Sequence, residues 1–175
     1  MAIAARFLIS CGMKRTIFAA FALIAIALPA EAACTDPAGP KVNWRRCYFD
    51  GGELMGIDLT GAELRDATFS RASLKDAVLV EADAYRAKFV SAVLVGAKLD
   101  RARLIEADFT RAEMDAASLR EADLRNAKLV GASLKRADFT GAKLGGADFR
   151  HADLTGATWV DGKKICGENS VGQCN

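Results

Sequence analysis

The chain contains a single histidine, His151, in 175 residues, and this scarcity limits the chemistry open to it. A Ser/His or Cys/His nucleophile pair would have to use this one residue, which falls at an outward position of a repeated segment. The sequence also has no Cys-x-x-Cys pair and no phosphate-binding glycine loop, two common signals of zinc and nucleotide sites. We therefore predict no catalytic, cofactor-binding or metal-binding residue.

A strong charge of one sign is also missing. The formal net charge is +2, and the segment from Glu53 to Val160 holds 17 acidic and 16 basic residues. A surface that binds nucleic acid is strongly basic, whereas a protein that imitates DNA is strongly negative along its length. The balance of charge argues against both kinds of protein.

Long hydrophobic runs are absent as well. The apolar run from Ile17 to Leu28 is too short to span a bilayer. Two basic residues precede it and an Ala-x-Ala site at 30–32 follows it, which is the pattern of a secretory signal peptide. The sequence predicts a leader over residues 1–32, export to the periplasm or secretion, and no transmembrane span. Met13 would begin a leader of more typical length than Met1.

What the sequence does contain is a five-residue repeat. Every fifth residue from Ala62 to Ala157 is alanine, in twenty positions out of twenty, and the residue two places later is Leu or Phe with three exceptions. Five residues advance a side chain by about 500° around a helix and reverse its face on a straight strand. The chain must therefore turn a corner once per repeat, with the alanine and the central Leu or Phe pointing inward. The exceptions are Ala84, Met114 and Trp159.

The spacing of the central phenylalanines predicts the number of sides in each coil. Five of the six share one phase of a 20-residue period, with Leu129 in the missing place, so four five-residue sides should make one coil. The 22 central residues from Leu54 to Trp159 then give about 5.5 coils and a rod roughly 26 Å long. We predict an N-terminal cap over 33–51, repeats over 52–160 and a C-terminal cap over 161–175. The predicted aromatic column is Phe49, Phe69, Phe89, Phe109 and Phe149.

These repeats resemble the pentapeptide-repeat proteins, whose motif is Ala-(Asp/Asn)-Leu-x-x. The segments 122–126 (Ala-Asp-Leu-Arg-Asn) and 152–156 (Ala-Asp-Leu-Thr-Gly) match it letter for letter. The resemblance covers residues 52–160 and implies an all-β fold, a right-handed quadrilateral parallel β-helix. It brings no catalytic residues, because the family shares none. Some members resemble B-DNA and act on DNA gyrase, a role that the near-neutral charge and the export signal disfavour here.

Removal of the leader leaves four cysteines, an even count that suits an oxidising compartment. Two precede the repeats and two follow them, too far apart for a bridge between the two ends, so we predict Cys34–Cys47 and Cys166–Cys174. Each bridge would pin a cap over the unpaired backbone groups of a terminal coil. A lipid anchor at Cys34 is disfavoured, because Glu31 stands where a lipoprotein signal has an aliphatic residue.

The outward positions carry mostly charges that alternate from coil to coil, which predicts surface ladders of opposite charge. Outward apolar residues cluster in the second and third coils and predict a belt that contacts a protein partner or a second copy. A competing interpretation is that β-branched residues simply suit exposed strands. We expect Tyr85, which follows the irregular Ala84, to stay outside. The belt comprises Val78, Val80, Tyr85, Val90, Val93, Val95 and Ile105.

Taken together, these features favour a non-catalytic exported protein that presents a rigid surface to a protein partner, either as a monomer or as a homodimer. A DNA-mimicking modulator of gyrase and a binder of envelope glycans are the alternatives. Exposed aromatic residues are sparse for the glycan role, with Trp44 and Tyr85 the main candidates.

Overall fold

The computed structural model describes residues 34–175, so the predicted leader and its two candidate starts lie outside the described residues. In residues 34–175 there is no helix, and each pairing of extended backbone involves a single residue on either side. None of these residues belongs to a helix long and apolar enough to cross a bilayer. The regular elements are isolated β-bridges joined by turns.

The bridges repeat with a period of twenty residues. Glu63 forms a parallel bridge with Asp83, and Asp83 forms the next one with Arg103. The central residue of each side also donates its N–H to a carbonyl of the following coil, as from Phe69 to Lys88 at 2.7 Å. Four five-residue sides therefore make one coil, and successive coils stack as parallel neighbours. The hand of the coil remains a prediction.

The coils and their sides are numbered in chain order. The regular coil runs from Lys41 to Val160, and coils 1 to 6 are residues 41–60, 61–80, 81–100, 101–120, 121–140 and 141–160. Sides 1, 2, 3 and 4 carry the central residues Leu64, Phe69, Leu74 and Leu79, together with the residues twenty positions before and after each. A corner is named by the two sides that meet there, so corner 1/2 joins sides 1 and 2.

Each corner is a β-turn that brings an alanine back inside. The N–H of Ala72, for example, donates to the carbonyl oxygen of Phe69 at 3.0 Å. The third residue of the turn has a positive φ, as at Arg101 (56°) and Glu121 (57°). A negative φ at the second residue of the turn and a positive φ at the third are typical of a type II turn. The corner side chains consequently project outward and stand one above another in successive coils.

The interior holds alanines and central residues in alternation, and nearly all of them are inaccessible to solvent. The rings of Phe49, Phe69, Phe89 and Phe109 stack with centroid separations of 5.3, 5.2 and 4.9 Å. This part of the predicted aromatic column is present. Phe149 is different: Leu129 stands between it and the stack, and its ring lies 5.9 Å from Trp159 in a tilted arrangement.

The coil begins earlier than predicted, and the estimate of about 5.5 coils is short by half a coil. Trp44 occupies a central position of side 1, with 2% of its surface exposed. Its ring lies 4.2 Å from that of Phe49, and its indole N–H donates to the carbonyl oxygen of Asp36 at 3.1 Å. The predicted boundary at 51/52 fails because Val42, Trp44 and Cys47 replace the alanine and leucine that mark the later repeats.

Both predicted cysteine pairs lie at bonding distance, with S–S separations of 2.00 Å for Cys34–Cys47 and 2.01 Å for Cys166–Cys174. Cys47 is fully buried at an alanine position of side 2, so its bridge ties residues 34–40 to the core. The sulfur of Cys34 is engaged in this bridge. The absence of a lipid anchor there stays a prediction from the sequence.

The C-terminal tail, residues 161–175, covers only half of coil 6. Antiparallel bridges join Asp153 to Val171 and Thr158 to Ile165, which places the tail over sides 3 and 4. Sides 1 and 2 of this coil form an open edge. The N–H groups that would donate to a further coil, as their equivalents in coil 5 donate to coil 6, have no backbone acceptor in the described part of the chain; they are those of Leu144, Gly146, Phe149 and His151.

Candidate binding surfaces

The seven belt residues surround the coil instead of forming one patch. Each is partly buried, and they are distributed over all four corners and two sides. Val78, Val93 and Val95 lie together around corner 3/4, in coils 2 and 3. Tyr85 and Ile105 stand at the opposite corner, 1/2. A single flat partner cannot contact both corners, so the belt divides into separate surfaces. Val80 lies at corner 4/1 and Val90 at corner 2/3.

Tyr85 stays outside, as expected, and arginines cover its ring. The guanidinium carbons of Arg65 and Arg103 each lie 5.1 Å from the ring centroid, and that of Arg86 lies 5.9 Å away. The hydroxyl donates to Glu106 at 3.3 Å, while Ala84 fills the inward position and is fully buried. The tyrosine is thus held by cation–π contacts and is a poor contact for a partner.

The predicted ladders of opposite charge are present at the corners. At corner 4/1, Arg101 lies between Glu81 at 3.5 Å and Glu121 at 3.2 Å. The bond to Glu121, with its charge, raises the pKa of the Arg101 guanidinium. At corner 1/2, Arg86 lies 3.8 Å from both Asp66 and Glu106. These exposed pairs contribute modestly to stability and chiefly fix side-chain direction.

A shallow groove runs along side 2, parallel to the coil axis. Its volume is about 470 Å³. One wall is the corner column Asp66, Arg86 and Glu106, and the floor is the column that precedes the central residues, which begins at Tyr48. A smaller groove of about 320 Å³ lies at corner 4/1 beside Val80 and Arg101. The side 2 groove also contains Thr68, Lys88, Asp108, Asn126 and Lys128.

The sequence reasoning missed this groove. Its floor residues repeat with the same 20-residue period that reveals the ladders, so the signal was available from the spacing of Lys88, Asp108 and Lys128. Tyr48, which has 80% of its surface accessible and is the most exposed large apolar residue in 34–175, was also not identified. It lies on coil 1, inside the stretch predicted to be a cap.

Several aspartates on the coil surface brace their own turns. The Oδ1 atom of Asp153 accepts from the N–H of Thr155 at 3.0 Å and from its hydroxyl at 2.6 Å. The hydroxyl bond is the main cause that lowers the pKa of Asp153, and Thr60 lowers the pKa of Asp58 in the same way. These carboxylates are ionised and committed to turns, which suits bracing and not general acid catalysis.

The lowered carboxyl pKa values predict acid-sensitive stability. A folded pKa below the unfolded value, about 3.9 for Asp, gives stability that is present above that pH and lost as pH falls through the folded pKa. We expect a thermal midpoint that is nearly constant down to about pH 5 and falls below about pH 4. Circular dichroism melts across this range test it. Asp153→Asn should weaken the acid dependence, and greater stability in acid would contradict the prediction.

In residues 34–175, no group of three or more His, Cys, Asp or Glu side chains is arranged to hold a metal ion. His151 lies exposed at a corner of coil 6, with φ of 60°. The four cysteines other than Cys11 are all engaged in the two bridges.

The repeat geometry has counterparts among known proteins. A family model of pentapeptide repeats matches in eight copies, over residues 53–89, 87–125 and 117–156. The chain belongs to the pentapeptide-repeat family. Pentapeptide-repeat proteins are generally structural or binding proteins, and no enzyme family matches this one. No relative is found among the curated proteins.

Solved structures of other pentapeptide-repeat proteins are similar to this one. HetL, involved in heterocyst differentiation regulation in the cyanobacterium Nostoc, is 24% identical, with 71% of this chain and 90% of that chain covered and a TM-score of 0.32. QnrB1, a plasmid-mediated fluoroquinolone resistance protein, is 27% identical, with coverages of 67% and 65% and a TM-score of 0.40. A protein from the Arabidopsis thaliana thylakoid lumen is 24% identical, with coverages of 74% and 84% and a TM-score of 0.24.

Proposed function

We propose that this pentapeptide-repeat protein is an exported, non-catalytic binding protein whose rigid coil presents an apolar patch to a protein partner. The observation that carries the proposal is the valine patch, defined as Val78, Val93 and Val95 around corner 3/4. Gly96 lies beside it, and Asp76 and Lys98 border the patch. Backbone hydrogen bonds to both neighbouring coils hold these residues, for example Val93 N–H to Ala72 at 2.9 Å. Binding would therefore require little ordering of the patch.

Export is supported by the two bridges and by the leader predicted over residues 1–32. Disulfides persist in oxidising compartments and are rare where thiols are kept reduced. In this proposal, residues 34–40 and 161–175 are caps over the two ends of the coil, and one disulfide holds each cap. The proposal for a periplasmic or secreted location is tested by fractionation, together with N-terminal sequencing of the mature chain for cleavage after Ala32.

The near-neutral charge continues to disfavour the alternative of a DNA mimic that modulates gyrase. A mimic needs a negative surface over most of its length. The described ladders instead alternate in sign, as in Glu81, Arg101 and Glu121. The glycan alternative stays a prediction from the sequence, but Trp44, one of its two candidate residues, is buried and is not available to a glycan.

The valine patch is tested by Val93→Asp. A charge at the centre of an apolar contact must be desolvated on binding, so capture of the partner should fall by about tenfold or more. Tagged mature protein is crosslinked in its own compartment and the captured protein is identified by mass. The matched control is Val130→Asp, a similarly half-buried valine at corner 2/3 of coil 5, which should capture normally. Equal capture by both variants and the wild type would remove the patch from the proposal.

A further inference from the structure

Charges on side 2 alternate in pairs from one coil to the next. Coil 3 contributes Arg86 and Lys88 to the groove, and coil 4 contributes Glu106 and Asp108. Two positive charges thus lie directly beside two negative charges along the rod axis, about 4.8 Å apart. Coil 5 follows with Lys128, while coil 2 carries Asp66 on the other side.

The lysines of this face are available to an external partner. In the part of the chain that the structure describes, Lys88, Asp108 and Lys128 make no salt bridge. Arg86 lies 3.8 Å from its two neighbours, a separation longer than a direct charge-assisted hydrogen bond. The side chains of Lys88, Arg86 and Glu106 are exposed. Asp108 and Glu106 accept hydrogen bonds from Thr110 and Tyr85. Lys88 and Lys128 are therefore the charges of this face that have no side-chain partner among the described residues.

We propose that side 2 is the interface of a homodimer in which two copies of the chain pack face to face and antiparallel. The two-fold axis lies across the rod, between coils 3 and 4. It places coil 3 of one copy on coil 4 of the other, coil 2 on coil 5, and coil 1 on coil 6. Such an interface is isologous, so each contact occurs twice.

The charge pattern is self-complementary under this symmetry. Lys88 meets Asp108 of the second copy, and Arg86 meets Glu106 of the second copy, so the centre of the interface holds four opposite-charge contacts. The axis does not change the position of a residue across the width of the face. The corner column of one copy therefore lies opposite the corner column of the other, and the groove floor lies opposite the groove floor. On coils 2 and 5, Asp66 lies opposite Asn126 and Thr68 lies opposite Lys128. At the centre of the interface no like charges meet.

The ends of the face match as well. Asp50 of coil 1 lies at the level of Arg150 of coil 6 in the second copy. The exposed Tyr48 lies opposite Asp148 of the second copy, and Arg46 lies opposite Gly146.

The interface is narrow, since it uses one five-residue side over about 24 Å of rod, and this predicts a weak dimer below the standard size for stable complexes. Its attraction is mostly electrostatic and should weaken as salt screens the contacts. The valine patch lies at corner 3/4, away from side 2, and remains accessible in the dimer. The dimer therefore does not depend on the proposed function.

Sedimentation equilibrium of the mature, oxidised protein tests the proposal. We expect a dimer at low ionic strength that dissociates about tenfold more readily in high salt. Lys88→Asp sets negative charges against Asp108 of the second copy and should weaken the dimer by about tenfold or more. Asp108→Lys should do the same. The double variant Lys88→Asp/Asp108→Lys should restore the dimer, because each new charge meets its opposite in the second copy.

The matched control is Lys98→Asp on side 4, an exposed lysine that makes the same change in net charge and has no ion pair in the described residues. It should dimerise like the wild type. The proposal is overturned if the protein is monomeric at about millimolar concentration in low salt. It is also overturned if Lys88→Asp dimerises normally or is no weaker than Lys98→Asp. Failure of the double variant to recover would likewise exclude the antiparallel pairing.

Discussion

Replacement of Phe89 by alanine is expected to lower the free energy of unfolding by about 3–5 kcal/mol. The ring is fully buried and lies between Phe69 and Phe109, at centroid separations of 5.2 and 4.9 Å. The surrounding inward positions are alanines, whose side chains are too short to fill the space. The backbone of each coil is bonded to both neighbours, which prevents collapse around the cavity. The loss is measured by urea unfolding followed by circular dichroism.

Two controls separate packing from a general loss of apolar surface. Val90→Ala alters the next residue along the chain, which is only half-buried, and should cost much less. Phe149→Ala should also cost less than Phe89→Ala. Its ring is partly exposed at the open edge of coil 6, where it is packed at an angle to Trp159 instead of being stacked on both faces. Equal losses for Phe89 and Phe149 would contradict the importance of the stack.

Replacement of Cys174 by serine is expected to release the C-terminal tail while the coil stays folded. The tail has little apolar anchoring, because Ile165 and Val171 keep 57% and 54% of their surface exposed. A few backbone hydrogen bonds hold it otherwise, such as Leu154 N–H to Ser170 at 2.8 Å. Each contributes about 0.5–1.5 kcal/mol, against an ordering cost of about 1–2 kcal/mol per residue. The bridge therefore decides whether the tail is docked.

Hydrogen exchange is the direct measurement. The amides of Leu154, Gly156 and Trp159 donate to the tail at 2.8 Å each, and their exchange should accelerate about 100-fold, as expected for loss of a bridge that contributes about 2–4 kcal/mol. The amide of Leu104, in coil 4, should be unaffected. Cys34→Ser, which breaks the bridge at the opposite end, should leave the three reporter amides protected. Loss of protection along the whole coil would show that the tail is needed for folding and contradict a local release.

The repeated part of the fold was predictable because the period of the sequence determines its geometry. Alanine at every fifth position and Phe69, Phe89 and Phe109 at every twentieth are sufficient to define the corner, the side and the coil. The start of the coil was not predictable in this way. Trp44 fills the end of the core with one large ring, and no rule of composition distinguishes it from a residue in a cap.

The candidate surfaces were less accessible to sequence reasoning. Outward residues such as Val93 and Tyr85 were predicted to act together because they share a coil, but a four-sided coil points them in different directions. The cover over Tyr85 depends on the reach of Arg65 and Arg103 from neighbouring coils, which the period does not give. The charges of Lys88 and Asp108 acquire their meaning only when side 2 is considered as a whole face.

Because four repeats make one coil, the length of an insertion determines the side on which the residues after it lie. An insertion of five residues in the coil is a quarter turn: every residue after it moves to the next side, although each repeat keeps its alanine and its central Leu or Phe. An insertion of twenty residues lengthens the rod by about 4.8 Å and leaves all the sides aligned. Insertions that the core accepts equally well thus differ in what they do to the surface. An inserted coil therefore keeps each later surface residue on its original side, whereas an inserted single repeat moves it to the next side.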